Sequence, residues 1–374
     1  MQGGTPIAPP LDASSTYAFE HAEDFARASQ QKVGGGYVYT RWANPTIDLF
    51  EGAIAELEGS EGAEAFASGM AAISAIFLGL CRSGDRVVAA RQLYGGTHSL
   101  FAHVLPRYGI ETTLHDVDDF DGIQAALPGA RLLYCETIGN PRVRVADLPR
   151  LAGLARTEGI PLVVDNTFAS PILCRPIEYG ADISVHSATK FLGGHHDLIG
   201  GVVCGPSLLL EPIAEVAREL GPVLSPFNAW LALRGMSTLQ LRVERSSATA
   251  GELARVLQSH PAVDDVYHPS LVSDGSHGLA QRLLGGHGGG TLAFDVAGGR
   301  DAAARFQERL SLITRAASLG GTHSLIVHAA SITHTQLTSE ELAAAGISSG
   351  FCRLSVGLED PDDLVADLLQ ALAG

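Results

Sequence analysis

The chain holds 25 basic residues, and only Lys32 and Lys190 among them are lysines. Arginine stays charged, whereas lysine can become a neutral amine nucleophile, so each lysine asks for a reason. Lys190 closes the stretch Ile183-Ser184-Val185-His186-Ser187-Ala188-Thr189-Lys190, in which an apolar strand ends in two hydroxyls and an amine. Shortly before it, Leu162-Val163-Val164-Asp165 delivers a carboxylate at the end of another apolar strand. In open parallel sheets ligands bind beyond the carboxyl ends of the strands. An amine and a carboxylate at neighbouring strand ends meet two demands of pyridoxal 5'-phosphate (PLP). The cofactor needs an amine for its Schiff base and an anion that keeps its pyridine nitrogen protonated. Hydroxyls beside the lysine can bind its phosphate.

A phosphate also calls for backbone N–H groups at a helix start. Ala67-Ser68-Gly69-Met70-Ala71-Ala72 offers one, because small residues let the backbone approach an anion and an apolar helix follows. Each of these segments has a plainer reading. Lys190 as a solvated surface lysine, Asp165 as a turn or cap and Ser68 as a simple N-cap all fit the local sequence. Lys32, in a Gly-rich stretch with no motif around it, reads as solvated.

The 25 basic and 41 acidic residues leave a net charge of −16, which speaks against nucleic acid or an anionic membrane as partner. Cys81, Cys135, Cys174, Cys204 and Cys352 show neither metal spacing nor a disulfide framework and fit buried thiols in a reducing compartment. His195-His196-Asp197 has no third ligand at metal spacing, so no metal is expected. The N-terminal residues lack the basic-then-apolar pattern of a signal peptide, and the longest apolar run, Gly69 to Cys81, is too short for a bilayer. A soluble, cytoplasmic protein is the expectation.

Helical and strand signals alternate from Pro45 onward and predict a mostly parallel sheet covered on both faces. Strands are expected at 86–90, 111–117, 131–136, 161–165, 183–186 and 201–204, with helices between them. A helix from Ala229 to Leu257 reads as long enough to bridge two domains. A second α/β pattern follows His260-Pro261, with strands at 290–296 and 351–356. The division expected is an arm over 1–44, a large cofactor-binding domain over 45–240 and a C-terminal domain over 241–374. The glycines from 285 to 290 precede a strand and open no helix, so they read as a flexible strand entry rather than a phosphate loop.

From Tyr37 to Leu369 the sequence resembles the PLP-dependent transsulfuration (Cys/Met metabolism) family, which includes cystathionine γ-lyase, methionine γ-lyase, cystathionine γ-synthase and the O-acylhomoserine sulfhydrylases. The motifs are Tyr39-Thr40-Arg41 with Asn44-Pro45-Thr46, Ser68-Gly69-Met70, Tyr94-Gly95-Gly96, Glu136 to Pro141, Asp165-Asn166-Thr167, Ser187-Ala188-Thr189-Lys190, Ser318-Leu319-Gly320-Gly321 and Arg353 to Gly357. The resemblance implies the α/β architecture of fold-type I PLP-dependent transferases, like that of aspartate aminotransferase. It implies that Lys190 holds PLP and moves protons, that Asp165 pairs with the pyridinium and that Ser187, Thr189 and the Gly69 and Met70 amides hold the phosphate. Tyr94 would stack on the ring and act as acid or base toward the leaving group. Asn140 would touch the phenolic oxygen, and Arg353 with Ser318 would bind the α-carboxylate of an amino-acid substrate. Tyr39 and Arg41 would reach the cofactor phosphate of a neighbouring subunit in a homotetramer built as a dimer of dimers.

The family reactions diverge after a shared opening. Gly96 stands where methionine γ-lyases typically carry Cys, His323 where many lyases and synthases have Glu, and Ala329 where Pro is usual. Ile138-Gly139 and Ser225 to Asn228 look like the sulfhydrylases, whereas the compact length and Ser318-Leu319-Gly320-Gly321 look like γ-lyases and γ-synthases. The reading is γ-elimination on cystathionine, methionine or homocysteine. The alternatives are γ-replacement and, more remotely, an aminotransferase.

Overall fold

The computed structural model describes residues 7–30, 36–332 and 346–373, so Lys32 lies outside the described residues. The apolar runs become strands β1 (Gly62–Phe66), β2 (Arg86–Ala90), β3 (Glu111–His115), β4 (Leu132–Glu136), β7 (Leu162–Asp165), β8 (Ile183–His186) and β9 (Gly201–Gly205), with a two-stranded hairpin of β5 (Ile138–Gly139) and β6 (Arg144–Val145). The seven long strands form one sheet in the order β1-β9-β8-β7-β4-β2-β3. From β3 to β8 all neighbours are parallel, and β9 pairs antiparallel with both β8 and β1. β1 carries no strand signal in the sequence. Its Gly62-Ala63-Glu64-Ala65-Phe66 has no β-branched residue, and only pairing with β9 along the sheet edge makes it a strand.

Helices α1 (Ala22–Gln30), α2 (Pro45–Glu58) and α3 (Gly69–Leu80) open the chain. Asn44 caps α2 by accepting the Thr46 N–H at 2.9 Å, and Ser68 caps α3 by accepting that of Ala71 at 3.1 Å. Phe77 of α3 meets Phe101 and Tyr134 edge-on or tilted in the large core, with ring centroids 5.1 and 5.5 Å away. The arm lies on its own chain. The Asn44 side chain donates to the Asp12 carbonyl and Trp230 Nε1 to the Pro9 carbonyl.

The bridging helix is not continuous. It divides into Pro226–Met236 and Leu239–Gln258, broken at Ser237-Thr238. Gly235, at the break, lies so close to the Gly193 carbonyl that a Cβ would stand 2.2 Å from it. Arg242 ties the break to that loop by donating to the carbonyls of Phe191 and Gly235, each at 2.7 Å. The helix therefore ends where its backbone is needed to support the segment following Lys190. Beyond the break, Leu239 and Val243 join the large core while Leu253 and Leu257 join a second one.

That second core lies against a five-stranded sheet of β10 (Val263–Tyr267), β11 (Thr291–Val296), β12 (Thr314–Arg315), β13 (Leu325–His328) and β14 (Phe351–Ser355), in the order β10-β11-β14-β13-β12. Among the described residues no helix is long and apolar enough to cross a membrane.

Asp367 fixes the segment that leads through β12 to Ser318. Its carboxylate accepts N–H groups from Ser311, Leu312 and Ile313 and the Ser311 hydroxyl, at 2.8–3.0 Å. Burial pushes its carboxyl up, but these donors hold it below the usual carboxylate range. Asp367→Ala is expected to cost about 2 kcal/mol in urea unfolding. A depressed carboxyl stabilises above its unfolded pKa of about 4, so the difference from the unsubstituted chain should shrink as the pH falls below that value and through the lower folded one.

Candidate active site

The carboxyl ends of β4, β7 and β8 open into a cavity of about 460 Å³, closed on its far side by residues 317–319 and Arg353 of the second sheet region. Of the residues singled out from sequence, Gly69, Met70, Tyr94, Asn140, Asp165, Ser187, Thr189, Lys190, Ser318 and Arg353 line it. Tyr39 and Arg41 do not. Tyr39 is 43% exposed, and the Arg41 guanidinium donates to the Arg218 carbonyl of its own chain.

The amine and the guanidinium cross between the two sheet regions. Lys190 Nζ donates to Ser318 Oγ at 2.9 Å, and Arg353 Nη1 donates to Asn140 Oδ1 at 2.7 Å. Ser318 is held at φ +121°, a backbone region that favours glycine. Burial and then the nearby Arg353 charge bring the Lys190 amine down to about 8. Burial likewise lowers Arg353 to about 10. Arg353 Nε is buried without a hydrogen-bond partner, which leaves a donor for an incoming anion.

Asp165 sits at the end of β7, where Oδ1 accepts the Thr167 N–H at 3.0 Å and Oδ2 lies 3.4 Å from the Tyr134 hydroxyl. Burial raises its carboxyl above the usual range, against the pull of Thr167, His186 and Tyr134. The Thr167 hydroxyl accepts the Ser187 N–H at 2.8 Å, so the turns after β7 and β8 are locked together.

Glu136 and Thr167 stand within the sequence motifs but have no role that the sequence assigns. Glu136 accepts the Tyr94 N–H at 2.6 Å through one oxygen and the Asn140 N–H at 3.0 Å through the other. It thereby sets the positions of two cavity residues at once. The signal in the sequence is a carboxylate ending an apolar strand, the same signal that marks Asp165. Asn140 Oδ1 is held by Arg353, which orients its side chain in the cavity. The Thr189 hydroxyl is paired with the backbone of Gly200, at 3.1 and 3.2 Å. At Gly96 a Cβ would come within 2.5 Å of the Tyr94 ring, so the absence of a side chain there is what lets the ring take this position.

PLP fits these residues. A Cβ on Gly69 would stand 2.7 Å from Ser187 Cβ, so the start of α3 and the turn after β8 converge as closely as backbone permits. First-turn N–H groups have no acceptor within their own helix, and beside the Ser187 hydroxyl they are the kind of donors that a phosphate takes. The amine, the carboxylate and an exposed aromatic ring stand around the same space.

A family profile described as Cys/Met metabolism PLP-dependent enzyme matches residues 3–373. The O-succinylhomoserine sulfhydrylase of Pseudomonas aeruginosa is 42% identical over 364 residues, covering 97% of this chain and 90% of that protein. The L-methionine γ-lyase of Porphyromonas gingivalis is 42% identical over 370 residues, covering 98% and 92%. A crystal structure from Campylobacter jejuni, described as an O-acetylhomoserine (thiol)-lyase, superposes with a TM-score of 0.94 at 33% identity, covering 99% of this chain and 96% of that one. It carries an N'-pyridoxyl-lysine-5'-monophosphate within its chain. The chain belongs to the Cys/Met metabolism family of PLP-dependent enzymes, with the fold-type I architecture of that family.

Proposed function

We propose that the protein is a carbon–sulfur lyase that performs γ-elimination on a sulfur amino acid, releasing a 2-oxo acid, ammonia and a thiol. The observation that carries it is one cavity holding a lysine amine brought down to about 8, an Arg353 nitrogen without a partner and the Tyr94 ring. Bound PLP supplies the electron sink that accepts the pair left when a Cα proton departs. Arg353 binds the substrate carboxylate through its unpartnered Nε, with Ser318 beside it. Lys190 Nζ takes the Cα proton and serves again at neighbouring carbons; lowering its amine to about 8 gives it a far larger neutral, proton-accepting fraction near neutral pH than an ordinary lysine has. The Tyr94 hydroxyl protonates the departing sulfur. Asp165 faces the cofactor's ring nitrogen, while Ser187, Thr189 and the amides of Gly69 and Met70 hold its phosphate.

Water must reach the product for elimination, whereas a thiol must reach it for replacement. A relative named as a sulfhydrylase is as similar as one named as a γ-lyase, which supports γ-replacement on an O-acylhomoserine as the second reading. Incubation with methionine, cystathionine and O-acetylhomoserine plus sulfide separates them. Elimination should give 2-oxobutanoate from methionine or cystathionine without sulfide; product from the acylated substrate alone, dependent on sulfide, would overturn it.

The three-part division over 1–44, 45–240 and 241–374 and assembly as a cytoplasmic homotetramer belong to the same reading. Exposed Tyr39 and an Arg41 outside its own chain's cavity support an arm that completes a neighbour's phosphate site. Arg41→Ala and Lys190→Ala proteins should each be inactive, and their mixture should regain about a quarter of full activity by random subunit pairing. No recovery on demonstrated subunit exchange would refute shared sites.

Reaction of the cofactor-free chain with PLP, followed by absorbance at about 420 nm, should accelerate with a midpoint near the Lys190 value of about 8. The sign follows from the amine, which is neutral above that value and protonated below it. A rate that keeps climbing to the ordinary lysine range, about 10.4, would count against Lys190 as the reacting amine, and Lys190→Ala should abolish the band.

A further inference from the structure

Behind Asp165 lies a buried pair that none of these steps uses. Glu58 is the last residue of α2 and has no exposed surface. A carboxylate there faces the negative end of the helix dipole and has lost its water, two penalties that a nearby cation offsets. Its Oε1 accepts from His186 Nε2 at 2.5 Å and from Asn166 Nδ2 at 3.0 Å, while Oε2 has no partner. Asn166 is itself pinned, donating to the Cys174 carbonyl at 2.8 Å and accepting the Thr137 hydroxyl at 2.7 Å. The pair backs onto Asp165 from the other face of the sheet, because Asn166 follows Asp165 in the chain and His186 follows Val185, the register partner of Asp165 on the neighbouring strand.

The groups acting on Asp165 pull in both directions. Its own burial and the buried carboxylate of Glu136 favour the neutral acid. Thr167, Tyr134 and the charge of His186 favour the ionised form. A histidine shut away from water loses its proton unless an anion holds it there. Glu58 is that anion, with Ser184 Oγ 3.4 Å from the same His186 nitrogen.

We propose that Glu58 and His186 form a charge-holding pair behind the cofactor ring: Glu58 keeps His186 protonated, and the imidazolium keeps Asp165 ionised. The inference rests on the reading that Asp165 faces the ring nitrogen of PLP. Both are positioning residues, acting through Asp165 and touching neither substrate nor cofactor. They explain why a carboxylate is kept at a helix end where an apolar residue would be cheaper to bury.

The test is the protonation of the ring nitrogen in holoenzyme reconstituted with 15N-labelled PLP, read by its chemical shift against pH. Glu58→Gln keeps the size and the oxygen that accepts from His186 and Asn166 but removes the charge. It is expected to weaken proton binding at the ring nitrogen about tenfold, a displacement of about one pH unit. His186→Gln should do the same from the other side, and a merely structural role would leave the titration of Glu58→Gln unmoved. Asp165→Asn is the reference. If it leaves the nitrogen protonated, the reading of Asp165 fails; if it strips the proton while Glu58→Gln and His186→Gln do not, only the present proposal is overturned. Neutron diffraction from the unsubstituted holoenzyme gives a readout that needs no variant. Deuterium on both His186 nitrogens supports the proposal, and on one nitrogen overturns it.

Discussion

Ionisable side chains withdrawn from water at the ends of three neighbouring strands are the constraint around which the rest of the structure is arranged. Glu136, Asp165 and His186 terminate β4, β7 and β8, and all are buried. Lys190 and Arg353 share the same space. Left uncompensated, any of these groups would neutralise or destabilise the fold. The compensation is selective. Glu136 is used up by two backbone N–H groups, and Glu58 is engaged by His186 and Asn166. Lys190 and Arg353 instead keep capacity for something that enters, the first as an amine that loses its proton readily, the second as an unpaired Nε.

The same interactions hold the two sheet regions in register. Lys190–Ser318 and Arg353–Asn140 each join a residue of the large sheet region to one of the small, and the backbone contact of Gly235 with Gly193 presses the linking helices onto the loop after Lys190. Parts far from the cavity serve this placement. Asp367 anchors the segment entering β12, and Ser318 beyond it takes up a backbone conformation that only surrounding contacts can impose. Ser318 and Arg353 stand opposite Lys190 because of these supports, none of which lines the cavity.

Much of the fold is legible in the sequence. Strand ends are visible wherever an apolar run is cut by a polar residue, because strand burial is a local pattern. β2 and β8 fall at the residues expected, the other expected strands differ by one or two positions, and β5, β6, β10, β12 and β13 are not among those expected. β1 and the break at Ser237-Thr238 are not legible, since both depend on a partner elsewhere: β9 for the strand, the Leu192-Gly193 backbone for the break.

The sequence by itself marked the candidates for chemistry: a scarce lysine, a carboxylate at a strand end, a small-residue helix start, and enough motifs in order to indicate the family. Those are properties of residue type and near neighbours, and one chain read in order contains them. Only the tertiary structure decided how the groups are partnered. Arg353 is 213 positions from the Asn140 it holds, and Glu58 is 128 from His186. Whether a buried charge is spent on a structural partner or kept for a substrate depends on which atoms lie within about 3 Å of it, and packing rather than spacing along the chain sets that distance.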